Sequence, residues 1–215
     1  MASLDRLRNF AIPYLAFYVW LHVPMVAIVG FVVGAPWIPV TVAAAAAAGA
    51  FTAAWRVTGA SAATRQTAGL AMVAMPALLV FEFSYHPWQV DLHLYFLVCV
   101  AILAFLCDWR VIASAAAALC AYHAALAAVG PTALMNEVVA LRVVLHVAFF
   151  LVEAAALMWL TDRLAKSFEE NERSLAAAEE SKDRAERAYR EKQEAEARAE
   201  RDRRVAIERV AERFN

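Results

Sequence analysis

Six apolar runs of membrane length follow one another before residue 163, and a polar tail free of Pro and Gly replaces them from residue 164 onward. A helix crosses hydrocarbon in roughly 20 apolar residues, or about 17 if it stands upright. Residues 11–33, 39–55, 67–85, 91–107, 111–129 and 138–160 meet that length. Turn-forming or charged residues separate them at Gly34-Ala35-Pro36-Trp37, Arg56 to Arg65, Tyr85-His86-Pro87-Trp88, Asp108-Trp109-Arg110 and Gly130-Pro131. Because each break is short, consecutive helices are expected to run antiparallel. The pattern predicts an all-α protein: a six-transmembrane-helix bundle over 1–163, continuing into a cytoplasmic helix or coiled coil over 164–215.

The tail is dense in Glu, Arg and Ala, the composition of a long exposed helix. Phe168, Leu175, Tyr189 and Val210 share one heptad position, and Leu164, Ala178, Ala185, Ala199 and Ala206 share its partner. Asn171, Lys182, Lys192, Glu196 and Arg203 interrupt the seam, while Ile207, Val210 and Phe214 fit a shifted register. The expectation is a weak coiled coil that joins two copies as a homodimer. A solvated single helix is the alternative.

Composition sharpens this division. Hydrophobic residues make up 63% of the 215, yet residues 1–163 hold only seven Lys/Arg and seven Asp/Glu of the 20 and 21 in the chain. The basic residues of the first region lie on one side of the expected bundle. Arg6 and Arg8 precede the first run, Arg56 and Arg65 lie in the second break and Arg110 in the fourth, and Arg163 and Lys166 follow the sixth run; only Arg142 falls near the other side. The positive-inside rule then places both termini in the cytoplasm of a multi-pass protein. The first run is too long for a signal peptide and carries Pro13, Trp20, His22 and Pro24, so it reads as a retained helix. Asp108 and Arg110 are expected at the cytoplasmic surface beside Trp109 as an interfacial anchor, and His86 as a solvated loop residue.

Four histidines, His22, His93, His123 and His146, stand one to a run inside apolar sequence. Hydrocarbon offers an imidazole no water, so such residues face the bundle interior and need partners. Counted at 1.5 Å per residue from the nearer outer end, His93 lies about 5 Å deep, His123 about 10 Å, His146 about 14 Å and His22 about 18 Å. All four fall in the outer half. Tyr18, His22 and Met25 share one helix face, as do Arg142, His146 and Glu153, and Asp91 opens the run that holds His93. The alanine-rich second and fifth runs allow close packing, and they also leave room beside a flat cofactor. Neutral imidazoles suit haem iron, copper or zinc. The favoured expectation is a b-type haem, on His22 with His146 or on His93 with His123, with Arg142 reaching a propionate; the alternatives are a copper or zinc ion that draws on His22, His93, His123 and His146 together, and histidines that only hydrogen-bond across helices. Glu153 is placed either to orient an imidazole or to sit protonated within the bundle.

Cys99, Cys107 and Cys120 form no CxxC pair and read as packing residues. The chain has no Walker loop, GxGxxG, HExxH or GxSxG motif, so an enzyme is not expected. A small membrane electron-transfer protein or carrier using the His cluster is the competing class.

The residues singled out above carry a resemblance. Asp91-Leu92-His93-Leu94-Tyr95-Phe96, Asp108-Trp109-Arg110, Tyr122-His123 and Leu145-His146 followed by Glu153 are similar to a multi-pass membrane sensor module of bacterial methyl-accepting chemotaxis proteins. Some histidine kinases and diguanylate cyclases carry the same module. Asp91 stands where that family more often has Glu, and Tyr95 and Tyr122 stand where it has additional histidines. The segment from Ala206 to Asn215 resembles the lead-in to the chemoreceptor signalling hairpin, whose methylation helices and tip do not follow. The resemblance implies a sensory module in the bacterial inner membrane, truncated before its signalling domain. It would relay redox, gas or metal state along the tail to a chemotaxis kinase and adaptor; lipid is the other partner, and no nucleic acid is expected.

Overall fold

In the computed structural model, residues 3–84, 86–129 and 137–213 are described, apart from the side chains of 126–129, 137–143 and 210–213. The side chain of Arg142, the Gly130-Pro131 break and the tail positions Val210 and Phe214 therefore lie outside the described side chains. Among the described residues 93% are helical and none lies in a strand.

Helix α1 (Ser3–Val33) contains Pro13 and Pro24 and ends where Gly34 takes φ +75°, a conformation that favours glycine. Helix α2 (Trp37–Thr58) is stopped by Gly59 at φ +61°, whose N–H reaches Trp55 O at 2.9 Å. Helix α3 (Ala62–Glu82) starts at Ser61, whose hydroxyl accepts from Thr64 N at 3.3 Å. The expected run 91–107 is not one regular helix. It forms α4 (Gln89–Leu92), α5 (Leu94–Ile102) and a 3₁₀ turn (Leu103–Leu106), with His93 at the α4–α5 break. Helix α6 (Trp109–Val129) follows, and α7 (Glu137–Arg213) is a single helix of 77 residues.

Five helical stretches among the described residues are long and apolar enough to cross a membrane: Ser3–Val33, Trp37–Thr58, Ala62–Glu82, Gln89–Leu106 and Val144–Arg209. Of these, Ala62–Glu82 is the most enclosed. It packs against α1, α2, α5 and α6, helped by small residues at Ala68, Gly69 and Ala71. At Gly69 an added β-carbon would stand 2.7 Å from Val111 Cγ1, so α3 and α6 approach closely there. Phe51, Ile12, Met72, Met75, Leu103, Leu106 and Ile112 are fully buried in the core. Outside it, Phe10, Phe17, Ile28, Phe31, Val32, Phe105, Phe149 and Val152 are exposed. An apolar exterior this extensive suits hydrocarbon rather than water.

The end of the bundle that carries Gly59 is held by ionic contacts that the expected surface placement of Asp108 did not anticipate. Asp108 is only 7% exposed; its Oδ2 accepts from Arg65 Nε at 2.9 Å and its Oδ1 from Arg110 N at 3.1 Å. It is buried because one carboxylate serves two elements, as the partner of α3's arginine and as the cap of α6. Arg8 donates to Leu106 O and Cys107 O, both at 3.0 Å. These bonds satisfy carbonyls freed where Cys107 turns left-handed at φ 46°. Trp109 is exposed, with the Arg110 guanidinium 5.5 Å from its ring.

The chain divides into two compact units, Met1–Phe168 and Glu169–Asn215. In the second, Leu175, Tyr189 and Ile207 are exposed along the helix. Pairs such as Arg198–Glu194 at 3.2 Å and Arg204–Glu200 at 3.0 Å lie one turn apart on its surface. Each such pair contributes only about 0.3–0.5 kcal/mol.

Candidate functional site: a histidine cluster and a separate tyrosine-histidine chain

Of the four histidines singled out by the sequence, three come together. His93 at the α4–α5 break lies with its ring centroid 6.0 Å from that of His123 on α6 and 6.2 Å from that of His146 on α7. Phe96, one turn along α5, is 6.1 Å from both His93 and His123. His93 and His123 are half-buried, and His146 is exposed at the rim.

Local backbone bonding fixes the tautomers. His93 Nδ1 lies 2.7 Å from Gln89 O, and His123 Nδ1 lies 2.9 Å from Leu119 O. A carbonyl oxygen can only accept, so each Nδ1 carries the hydrogen, and in the neutral ring Nε2 keeps a lone pair. This is the arrangement of a metal-binding imidazole, whose second nitrogen is held by a backbone or carboxylate acceptor.

His22 belongs to a different construction. It is 2% exposed, with Nδ1 2.7 Å from Tyr18 O and Nε2 2.5 Å from Tyr95 Oη, which in turn is 2.6 Å from Tyr18 Oη. The tautomer argument gives the neutral chain one direction: Tyr18 donates to Tyr95, Tyr95 donates to His22 Nε2, and His22 Nδ1 donates back to the Tyr18 carbonyl. His22 therefore has both nitrogens engaged. Replacing Tyr95 by Phe is expected to cost about 1–3 kcal/mol, because it leaves His22 Nε2 buried without a donor. Thermal unfolding in detergent checks this, and a cost near zero would mean that the chain contributes little.

The remaining candidates are dispersed. Met25 packs with Val26, Val40 and Leu79, away from any ligand role the structure supports. Asp91 is exposed on α4, two residues before His93. Tyr122 stacks edge-on to His123 at 5.3 Å and donates to Ala77 O at 3.5 Å. Glu153 has Oε2 buried without a hydrogen-bond partner. His86 is exposed, and its Nδ1 accepts from Trp88 N at 3.2 Å.

The geometry can be tested against both cofactors. Two imidazoles on one tetrahedral ion, with bonds of about 2 Å, have ring centroids about 5 Å apart, so the observed spacings are roughly 1 Å too wide. Among the described residues, no three His, Cys, Asp or Glu side chains already stand at metal-ligating spacing. Small side-chain rotations would be needed to close the cluster. For haem, two axial imidazoles have centroids about 6 Å apart, which His93 and His123 match. A groove of about 620 Å³ between α2, α3 and α6 has walls that include Val40, Ala43, Ala74, Phe81, Ala118 and Tyr122, but no histidine lines it. The alanine-rich helices thus supply a slot, and the candidate ligands lie elsewhere.

The engagement of Tyr95 with His22, the Arg65–Asp108 pair and the role of Arg8 were not found from the sequence. Their only sequence signal was the presence of polar residues in apolar surroundings. No family model, curated protein or solved structure matches the chain.

Proposed function

We propose that the chain is the transmembrane sensory module of a bacterial chemoreceptor-like protein, with copper or zinc bound at His93, His123 and His146. The observation that carries this reading is the meeting of three imidazoles from three separate elements, two with Nδ1 tied to backbone carbonyls. In this reading α6 supplies a sixth crossing beside the five stretches above, and the arginine-rich Gly59 end faces the cytoplasm. The Gly34 end, with the histidine cluster, faces outward.

An ion would supply a charge that draws a lone pair from each of the three imidazoles to one centre, through Nε2 for His93 and His123. The chain's part is to hold His93 and His123 in the correct tautomer and to present His146 from α7, which continues without a break to Arg213. Closing the cluster would then favour one packing of α7 over another, and the two packings must bind the ion unequally for a signal to result. A homodimer through the tail would pass that change to a kinase and adaptor. The 6.0 Å spacing of His93 and His123 favours a second reading, b-type haem on that pair.

Metal analysis of the purified protein, with absorption spectra of its oxidised and reduced forms, distinguishes these. A stoichiometric metal without a haem spectrum is expected. Strong visible bands would select haem, and protein that holds neither after both are supplied during expression would remove the cofactor from the account.

A further inference from the structure

Glu82 ends α3 only 4% exposed, and neither of its carboxyl oxygens has a hydrogen-bond partner. Three helices enclose it. A β-carbon at Gly30 of α1 would overlap Glu82 Oε1 outright and stand 2.7 Å from both Glu82 Cδ and Trp37 Cβ of α2. Gly30 is therefore the notch in which the carboxyl sits, with Trp37 beside it. One turn further in, Val26, Leu79 and Val40 form an apolar floor from the same three helices. Thr41, one turn along α2 from Trp37, adds another buried hydroxyl without a partner.

Among the described residues, no neighbouring group compensates a charge there. His22 on α1 and Tyr95 on α5 are bonded to each other, and Asp91 on α4 is exposed. His93 and His123 give Nδ1 to backbone carbonyls, and Tyr122 donates to Ala77 O. The outer half of α2, from Trp37 to Ala48, carries no titratable side chain, and His86 in the following turn contacts Phe83 and Trp88. Burial of an ionised carboxylate with no donor is strongly disfavoured, whereas the uncharged acid is tolerated. Water is close: Ser84 and His86, two and four residues on, are exposed.

We propose that Glu82 is a reversible proton-binding latch at the outer ends of α1, α2 and α3. As the acid it fills the Gly30 notch and holds the three helices together. On opening, its O–H bond breaks, the proton passes to water at the outer boundary, and the carboxylate turns out of the notch. No electrons move and no other reactant is needed. The latch is independent of any ion at the histidine cluster.

The test uses the full chain in phospholipid vesicles and dicyclohexylcarbodiimide, an apolar reagent that converts a protonated carboxyl to an N-acylurea, with the modified residue located by peptide mass mapping. Glu82 should be labelled at pH 6 and at least tenfold less at pH 9. A water-soluble carbodiimide should mark exposed Asp91 while sparing Glu82 at pH 6. Gly30→Ala fills the notch, and should abolish the apolar labelling and open Glu82 to the water-soluble reagent. Glu82→Gln supplies the background. Apolar labelling that is equal at pH 6 and pH 9 would make Glu82 a permanently protonated packing residue and overturn the latch. That comparison needs only the wild-type chain, so it stands if Gly30→Ala does not fold.

Discussion

Replacing His93, His123 or His146 singly by Ala is expected to lower metal affinity by at least about 100-fold, while His22→Ala leaves the bound stoichiometry unchanged. Loss of an outer hydrogen-bond partner of a ligand already costs 10–100-fold, and loss of a ligand itself should cost no less. His22 is set apart because both its nitrogens are engaged, with Tyr18 O at 2.7 Å and Tyr95 Oη at 2.5 Å. Its removal should instead lower thermal stability, by opening a void beside a phenol that has lost its acceptor. Metal titration with a competing chelator on each variant checks the series. Equal loss in all four variants would return His22 to the ligand set, and no loss in the first three would dissolve the cluster as a site.

That separation of one histidine from three shows where sequence reasoning reached its limit. The long helices were legible because proline, glycine and charge interrupt the apolar runs where a backbone must turn, as at Gly34 and Gly59. Position along a helix follows from residue count alone. Rotation about the helix axis does not. Depth allowed His22 to pair with His146, but the α1 face that carries His22 also carries Tyr18, and α5 presents Tyr95 to both. Tyr95, read as a replaced histidine, became the group that engages His22. The break at His93 was also invisible, since Leu92, Leu94 and Phe96 continue an apolar pattern through it. The long tail was legible from composition, but its pairing needs a second chain.

Arg65→Ala is expected to destabilise the bundle by about 3–5 kcal/mol, because it leaves the Asp108 carboxylate buried without its cation. The two side chains are 13% and 7% exposed and meet at 2.9 Å, so water can compensate little. Over a unit of this size the loss corresponds to a drop in Tm of about 10 °C. Asp108→Ala should cost at least as much, because Asp108 Oδ1 also accepts from Arg110 N at 3.1 Å and starts α6. The double replacement Arg65→Met with Asp108→Leu removes both charges and fills their space. It should recover most of the loss and leave about 1 kcal/mol for the missing cap. A cycle of thermal melts in one detergent, with Arg65→Met and Asp108→Leu also made singly, gives the coupling between the two sites. Strictly additive single effects would mean that Arg65 acts through its 2.8 Å bond to Ala60 O, and that the turn between α2 and α3, rather than the ion pair, holds this end of the bundle.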